Sequence, residues 1–108
     1  MAMSKSKAKE VFSVLSEENR LRMISLLSKK SLSCSEAEKY NLPKYSCVIG
    51  ELAKKCDLSM ATASHHLKQL KNAGLVGMKK KGKNQYCWIN QKKFDEVVNF
   101  LSSFSSSD

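Results

Sequence analysis

At 108 residues the chain has the size of one domain, and its formal net charge of +9 suits an anionic partner. Four glycines, one proline and few aromatic residues favour helices over a sandwich or barrel. No apolar run approaches the roughly 20 residues that span a bilayer, and MAMSKSKAKEVF lacks the apolar centre of a signal peptide. A cytoplasmic protein is expected, with its four cysteines reduced at rest. It forms a single domain over 1–108, with 1–4 and 105–108 frayed.

In chain order, Lys5 to Leu15 reads as a first helix, with Ala8, Val11, Phe12 and Leu15 on one stripe. Ser16 is the expected N-cap of a second helix, whose first turn holds Glu17 and Glu18 and whose Leu21, Ile24, Leu26 and Leu27 point inward. That helix dissolves near Ser31. From Ser31 to Ser46 the chain reads as a long loop with a short helical turn at SEAEKY, and Pro43 disfavours helix at Leu42. A third helix runs from Val48 to Cys56 with Leu52, Ala53 and Cys56 on one face. Asp57 and Leu58 make a turn, Ser59 caps a fourth helix, and that helix ends near Ala73 at Gly74. Val76 to Lys81 and Gln85 to Asn90 form strands around Gly82, Lys83 and Asn84. The last helix, Gln91 to about Ser103, carries Phe94, Val97, Val98, Leu101 and Phe104 along one stripe.

The densest information lies between Leu58 and Phe94, which contains no Asp or Glu and eight lysines. Two helices joined by a short turn and followed by a basic hairpin describe a winged helix-turn-helix: mainly α, about five helices and a small β-hairpin wing. In such a unit the second helix enters the major groove. On the fourth helix Ala63, Leu67 and Leu70 point to the core, while Thr62, His65 and Gln69 project together from another face. Ser59, Ala61, Ser64 and Lys68 flank them. Thr, Gln and His hydrogen-bond base edges, and Ala contacts a thymine methyl. Lys79, Lys80, Lys81 and Lys83 on the wing are placed to grip phosphate or a minor groove. A lysine run is by default a solvated face; the absence of acids from the same span argues against that here. His65 and His66 read as one groove-facing and one packed histidine, because adjacent helical positions point about 100° apart.

On LSEENRLRMISLL (Leu15 to Leu27), IGELAKKCDLS (Ile49 to Ser59), ATASHHLKQLKNAGLV (Ala61 to Val76) and GKNQYCWI (Gly82 to Ile89), the chain resembles the ArsR-type family of bacterial and archaeal winged-helix repressors. The resemblance implies a homodimer built from the first and last helices. It also implies a near-palindromic double-stranded DNA operator, and release when an inducer binds. The stripes on those two helices fit such an interface and equally fit a monomeric core. Many relatives sense thiophilic metals through Cys-x-Cys at the start of the third helix. Here the aligned positions are Val48 and Gly50, and Cys47 is offset by one. Others bind zinc or nickel through Asp and His on the last helix, where this chain has Asp95 and Glu96 but no His.

The cysteines Cys34, Cys47, Cys56 and Cys87 show no CxxC spacing. Cys56 and Cys87 read as small core hydrophobes. Cys34 and Cys47 are separated by twelve residues of expected loop, which lets their sulfurs approach, and they are the candidate sensing pair. Two chemistries stay open for them. One is a soft ion such as arsenite or cadmium held by thiolates; the other is a disulfide or polysulfide link. Inert surface thiols are the bland alternative. Two other function classes compete with a DNA-binding repressor. A winged-helix module that docks a protein would not need the acid-free basic span. An enzyme is disfavoured, since there is no nucleophile elbow, phosphate loop or cofactor fingerprint.

Overall fold

The computed structural model describes residues 3–29 and 39–104. Five helices and a three-stranded antiparallel sheet follow the order α1 (Lys5–Leu15), α2 (Glu18–Leu27), β1 (Cys47–Val48), α3 (Ile49–Lys55), α4 (Met60–Asn72), β2 (Val76–Lys81), β3 (Asn84–Ile89) and α5 (Gln91–Ser102).

Local chemistry sets most of these boundaries. The Ser4 side chain accepts from the Lys7 N–H and caps α1, and Met3 packs against the core, so the start of the chain is tied down closer to its end than expected. Ser16 terminates α1 and does not start α2; Glu17 is the N-cap, its carboxylate accepting from the Arg20 N–H at 2.9 Å. The inner face of α2 is set by Met23 and Leu27, one helical turn apart, with Ile24 and Leu26 packed against the core beside them. Met23 is fully buried and Leu27 nearly so, whereas Leu21, expected inside, is 51% exposed. Four residues of the helical turn expected at SEAEKY lie outside the described residues; the two that are described, Lys39 and Tyr40, form a 3₁₀ turn.

Helices α3 and α4 end by the same device. Leu58 N–H reaches the Ala53 carbonyl and Leu75 N–H reaches the Leu70 carbonyl, with Asp57 (φ 55°) and Gly74 (φ 82°) in the left-handed position between. Asp and Gly are residues that accept that conformation. Val48 and Cys56, read from the sequence as helical, are the caps of α3. Ahead of it, Cys47 and Val48 form a short strand that the sequence does not announce, because two residues carry no period.

The sheet order is β1–β3–β2, with Cys47 opposite Cys87 and Val76 opposite Ile89. The hairpin closes on the Lys81–Asn84 pair, so the turn is Gly82-Lys83 alone and Asn84 belongs to the strand. Asn90 joins the wing to the body. Its side chain donates to the Gly74 carbonyl at 2.8 Å, its N–H donates to the Leu75 carbonyl, and it caps α5. The core gathers Val11, Met23, Leu27, Ile49, Leu52, Leu67, Leu70 and Leu75 from all the elements around α4.

Gly77 sits beneath the indole of Trp88, its cross-strand partner, and a Cβ there would overlap the ring. Gly77→Ala is expected to lower unfolding stability by about 1–3 kcal/mol, the usual range for an overpacked site. A urea titration read by Trp88 fluorescence measures it.

Candidate nucleic-acid interface

The interface is set by how α4 is held. Ala63, Leu67 and Leu70 are fully buried, and α4 packs against α1, α2, α3 and β2. With that stripe fixed, the helical period leaves Ala61, Thr62, His65 and Lys68 exposed and Ser64 and Gln69 half-exposed. The outward face expected from the sequence is therefore the face that is free. Ser59 and Thr62 are already engaged with each other at the helix start: Ser59 Oγ accepts from the Thr62 N–H and donates to Thr62 Oγ1 at 3.0 Å. Each hydroxyl retains lone pairs for a further partner.

His66 lies behind that face. Its Nδ1 is 3.3 Å from Arg20 Nη1 and 3.8 Å from a Glu17 carboxylate oxygen. Arg20 also donates from Nε to the Val14 carbonyl at 2.6 Å, so one guanidinium joins the end of α1 and the start of α2 to the middle of α4. His66 is thus the packed member of the pair and His65 the exposed one. Sequence reasoning missed Glu17 and Arg20 as parts of this support, since nothing in local spacing links α2 to α4.

The wing stands beside α4. Lys79, Lys80 and Lys83 are exposed and Lys81 is half-exposed. Cross-strand pairing puts Lys80 with Gln85 and Met78 with Cys87 on one face of the hairpin. That face looks toward α4 across two clefts. One, of about 330 Å³, is lined by Gly50, Met60, Lys80, Lys83, Asn84 and Gln85; the other joins Ser64, Lys68 and Lys71 to Met78 and Gln85. Lys71, Gln85 and Met60 were not among the sequence candidates. Of the eight lysines in the acid-free span, Lys93 is turned away, paired with Glu96 at 2.9 Å and lying against Gly74.

The candidate sensing pair is only partly described. Cys34 lies outside the described residues. Cys47 is fully buried, and its sulfur lies 3.6 Å from that of Cys87. Cys87 is therefore part of a thiol pair as well as a core residue, a relation hidden from sequence because the two lie 40 positions apart. Cys56 is buried at the end of α3, where burial raises its thiol pKa. Among the described residues no cluster of three or more His, Cys, Asp or Glu side chains stands ready for a metal ion. No described helix is long and apolar enough to cross a membrane.

α5 presents a second surface. Val97 is its buried residue and Phe100 meets Phe12 of α1 at 6.3 Å between ring centres, while Val98, Leu101 and Phe104 are 59%, 51% and 65% exposed.

The family model for bacterial regulatory proteins of the arsR family matches residues 41–77, which span β1, α3, α4 and the start of β2. An uncharacterised HTH-type transcriptional regulator of Bacillus subtilis, YceK, is 33% identical over 91 residues, covering 82% of this chain and 76% of that protein. The cadmium resistance transcriptional regulatory protein CadC of Listeria innocua is 34% identical over 93 residues, covering 86% of this chain and 66% of CadC. Among solved structures, the crystal structure of an ArsR family transcriptional regulator superposes with a TM-score of 0.71 at 21% identity, covering 95% of this chain and 91% of that one. A homodimeric winged helix-turn-helix DNA-binding domain from Mycobacterium bovis gives a TM-score of 0.63 at 22% identity, over 91% of this chain and 75% of that one. These structures share the fold.

The support of α4 carries a pH dependence. The Arg20 backbone N–H holds the Glu17 carboxyl below its ordinary 4.5 against the opposing effect of desolvation, with lesser help from the Asn19 N–H and from the charges of His66 and Arg20. A folded value below the unfolded one means that the folded chain binds fewer protons. The contribution is present above the ordinary value and is lost as pH falls through the depressed one. In urea titrations the gap between the parent and Glu17→Ala should therefore be widest well above the ordinary carboxylate value and narrow as pH falls below it.

Proposed function

This chain belongs to the ArsR family of DNA-binding transcriptional regulators, and on that premise we propose that it is a homodimeric repressor of a near-palindromic operator, released by a thiol-directed inducer. One observation carries the DNA reading. The free face of α4 and a lysine-lined wing stand side by side in a span without a single carboxylate side chain. Thr62, His65 and Gln69 read base edges, with Ala61, Ser64 and Lys68 beside them, and Ser59 holds Thr62 at the helix start. Lys79, Lys80, Lys81 and Lys83 bind phosphate. The chain is a binding protein and not an enzyme: its polar groups converge on a surface for a duplex.

The dimer reading rests on α5. Val98 and Leu101 on α5 and Phe104 just beyond its end, all more than half exposed and continuous with Phe12 of α1 through Phe100, form a face awaiting a partner. A second copy meets it symmetrically, and two copies present two reading helices to two half-sites. The inducer reading assigns Cys34 and Cys47 to a soft metal or metalloid such as arsenite or cadmium, or to oxidative linkage. It is supported by the likeness to cadmium resistance regulators and by the position of Cys47 directly ahead of α3, which packs on α4. The described residues alone do not complete an ion's ligand set.

Fluorescence anisotropy on DNA from upstream of the coding region tests the repressor. A dimer that neutralises six to ten phosphates loses about 10³–10⁵ in affinity between 50 and 200 mM salt. Lys80→Gln and Lys83→Gln should each weaken binding and reduce the salt slope by roughly 0.9 for every phosphate no longer neutralised. A flat salt response in the parent would overturn the reading. Release by arsenite, cadmium or an oxidant that persists unchanged in Cys34→Ser and Cys47→Ser variants would remove those residues from the inducer site.

Leu101→Glu is expected to convert the dimer to a monomer by light scattering, and to weaken operator binding at least tenfold. A dimer that survives both Leu101→Glu and Val98→Glu would place the interface elsewhere.

A further inference from the structure

Cys47 and Cys87 face each other in the antiparallel register of β1 and β3, with Sγ atoms 3.6 Å apart and neither residue exposed. Directly opposed residues on antiparallel strands have Cα atoms about 4.5–5.5 Å apart. That lies within the roughly 4.4–6.8 Å over which a disulfide closes without backbone movement. The sulfurs need to approach by only about 1.5 Å to reach bonding distance. No third metal-ligating side chain joins them among the described residues, so the pair is suited to a bond between its own sulfurs.

We propose that Cys47 and Cys87 are a peroxide-oxidised dithiol, with Cys47 the attacking thiol and Cys87 the resolving one, whose product is a disulfide that ties the wing to the residue ahead of α3. The roles follow from position. β1 is two residues long and lies at the edge of the sheet, whereas β3 is its central strand. Short edge elements open locally at low cost, so Cys47 is the sulfur that meets a small oxidant. Its proton is also the easier one to lose. A hydrogen bond from the Cys87 thiol pulls the Cys47 pKa down, against the opposing effects of burial and of Glu51, while the same bond and burial push the Cys87 value up.

The chemistry balances with hydrogen peroxide as the oxidant. The Cys47 thiolate attacks one peroxide oxygen, the O–O bond breaks, and the leaving hydroxide takes a proton to become water. Cys47 becomes a sulfenic acid, its sulfur oxidised by two electrons as the peroxide is reduced. When β1 closes, the Cys87 sulfur attacks the Cys47 sulfur and the S–O bond breaks. Water leaves with the proton of Cys87, and the S–S bond forms. A dithiol reductant reverses the link by exchange. The ring so closed contains α3, the turn, α4, β2 and the hairpin tip, which is the whole DNA-reading unit.

The Cys47–Cys87 link requires neither DNA nor Cys34; it stands apart from the repressor reading and replaces the oxidative form of the inducer reading, since one Cys47 sulfur closes one disulfide. The test treats the reduced full chain with hydrogen peroxide, alkylates remaining thiols in denaturant and maps the peptides. The expected result is a Cys47–Cys87 linked peptide, the loss of two alkylatable thiols per chain, and an oxidised protein that unfolds at a higher temperature than the reduced one. Cys34→Ala should leave that link intact. Cys87→Ala should stop at a sulfenic acid on Cys47 that a cyclic diketone traps, and Cys47→Ala should leave Cys87 alkylatable. A Cys34–Cys47 link, or Cys47 and Cys87 both fully alkylated after peroxide has oxidised a control thiol, would overturn the proposal. The peptide map of the parent decides this without any variant. Reduced protein that fails to bind DNA yet forms the link would count against the repressor reading alone.

Discussion

The structure depends on the burial of one stripe. Ala63, Leu67 and Leu70 have no solvent exposure, and they tie α4 to α1, α2 and α3 at once. An α-helix has only one rotation about its axis, so fixing three side chains inward fixes every other side chain on it. The groove-facing set is therefore specified by the core. Residues that never approach a ligand decide which residues can, and the guanidinium of Arg20, braced on Val14 and touching His66, locks the same rotation from a polar direction.

This explains what could be read from the amino-acid order. Helical periodicity, the Ser59 cap and the Gly74 stop are local signals, and they locate α4, its buried stripe and its free face. The Gly82-Lys83-Asn84 signal between β-forming residues locates the wing in the same way, although Asn84 proves to be part of the strand. The departures share a cause. Local preference points to Ser16, since serine is a favoured N-cap and glutamate is not, but Ser16 is taken up in ending α1 and the Glu17 carboxylate accepts the Arg20 N–H instead. Met23, and not Leu21, shares the buried stripe of α2 with Leu27, one turn away. β1 has no pattern of its own and exists because β3 offers it a partner.

The thiols show the same limit in sharper form. Counting residues between cysteines favours pairs joined by a short flexible segment, and it selects Cys34 with Cys47. Sheet pairing sets proximity independently of that count and puts Cys47 against Cys87. Loop-closure arguments measure how often two points meet in a disordered chain; they say nothing about points that two strands hold together.

The order β1–β3–β2 leaves β2 as an open edge of the sheet, and β2 is where Lys79, Lys80 and Lys81 stand. An unpaired strand edge is a template for another chain's strand, and closely spaced lysines are a common means of blocking such pairing. The same positive charges that suit a phosphate backbone thus keep the hairpin from stacking on its own copies. Replacing all three lysines with small apolar residues would expose a β-prone edge, and the material removed by self-association would pass for a loss of DNA affinity. Evolution of a less basic wing would have to find another guard for that edge, such as a proline, a bulge or a carboxylate, before the charge could go.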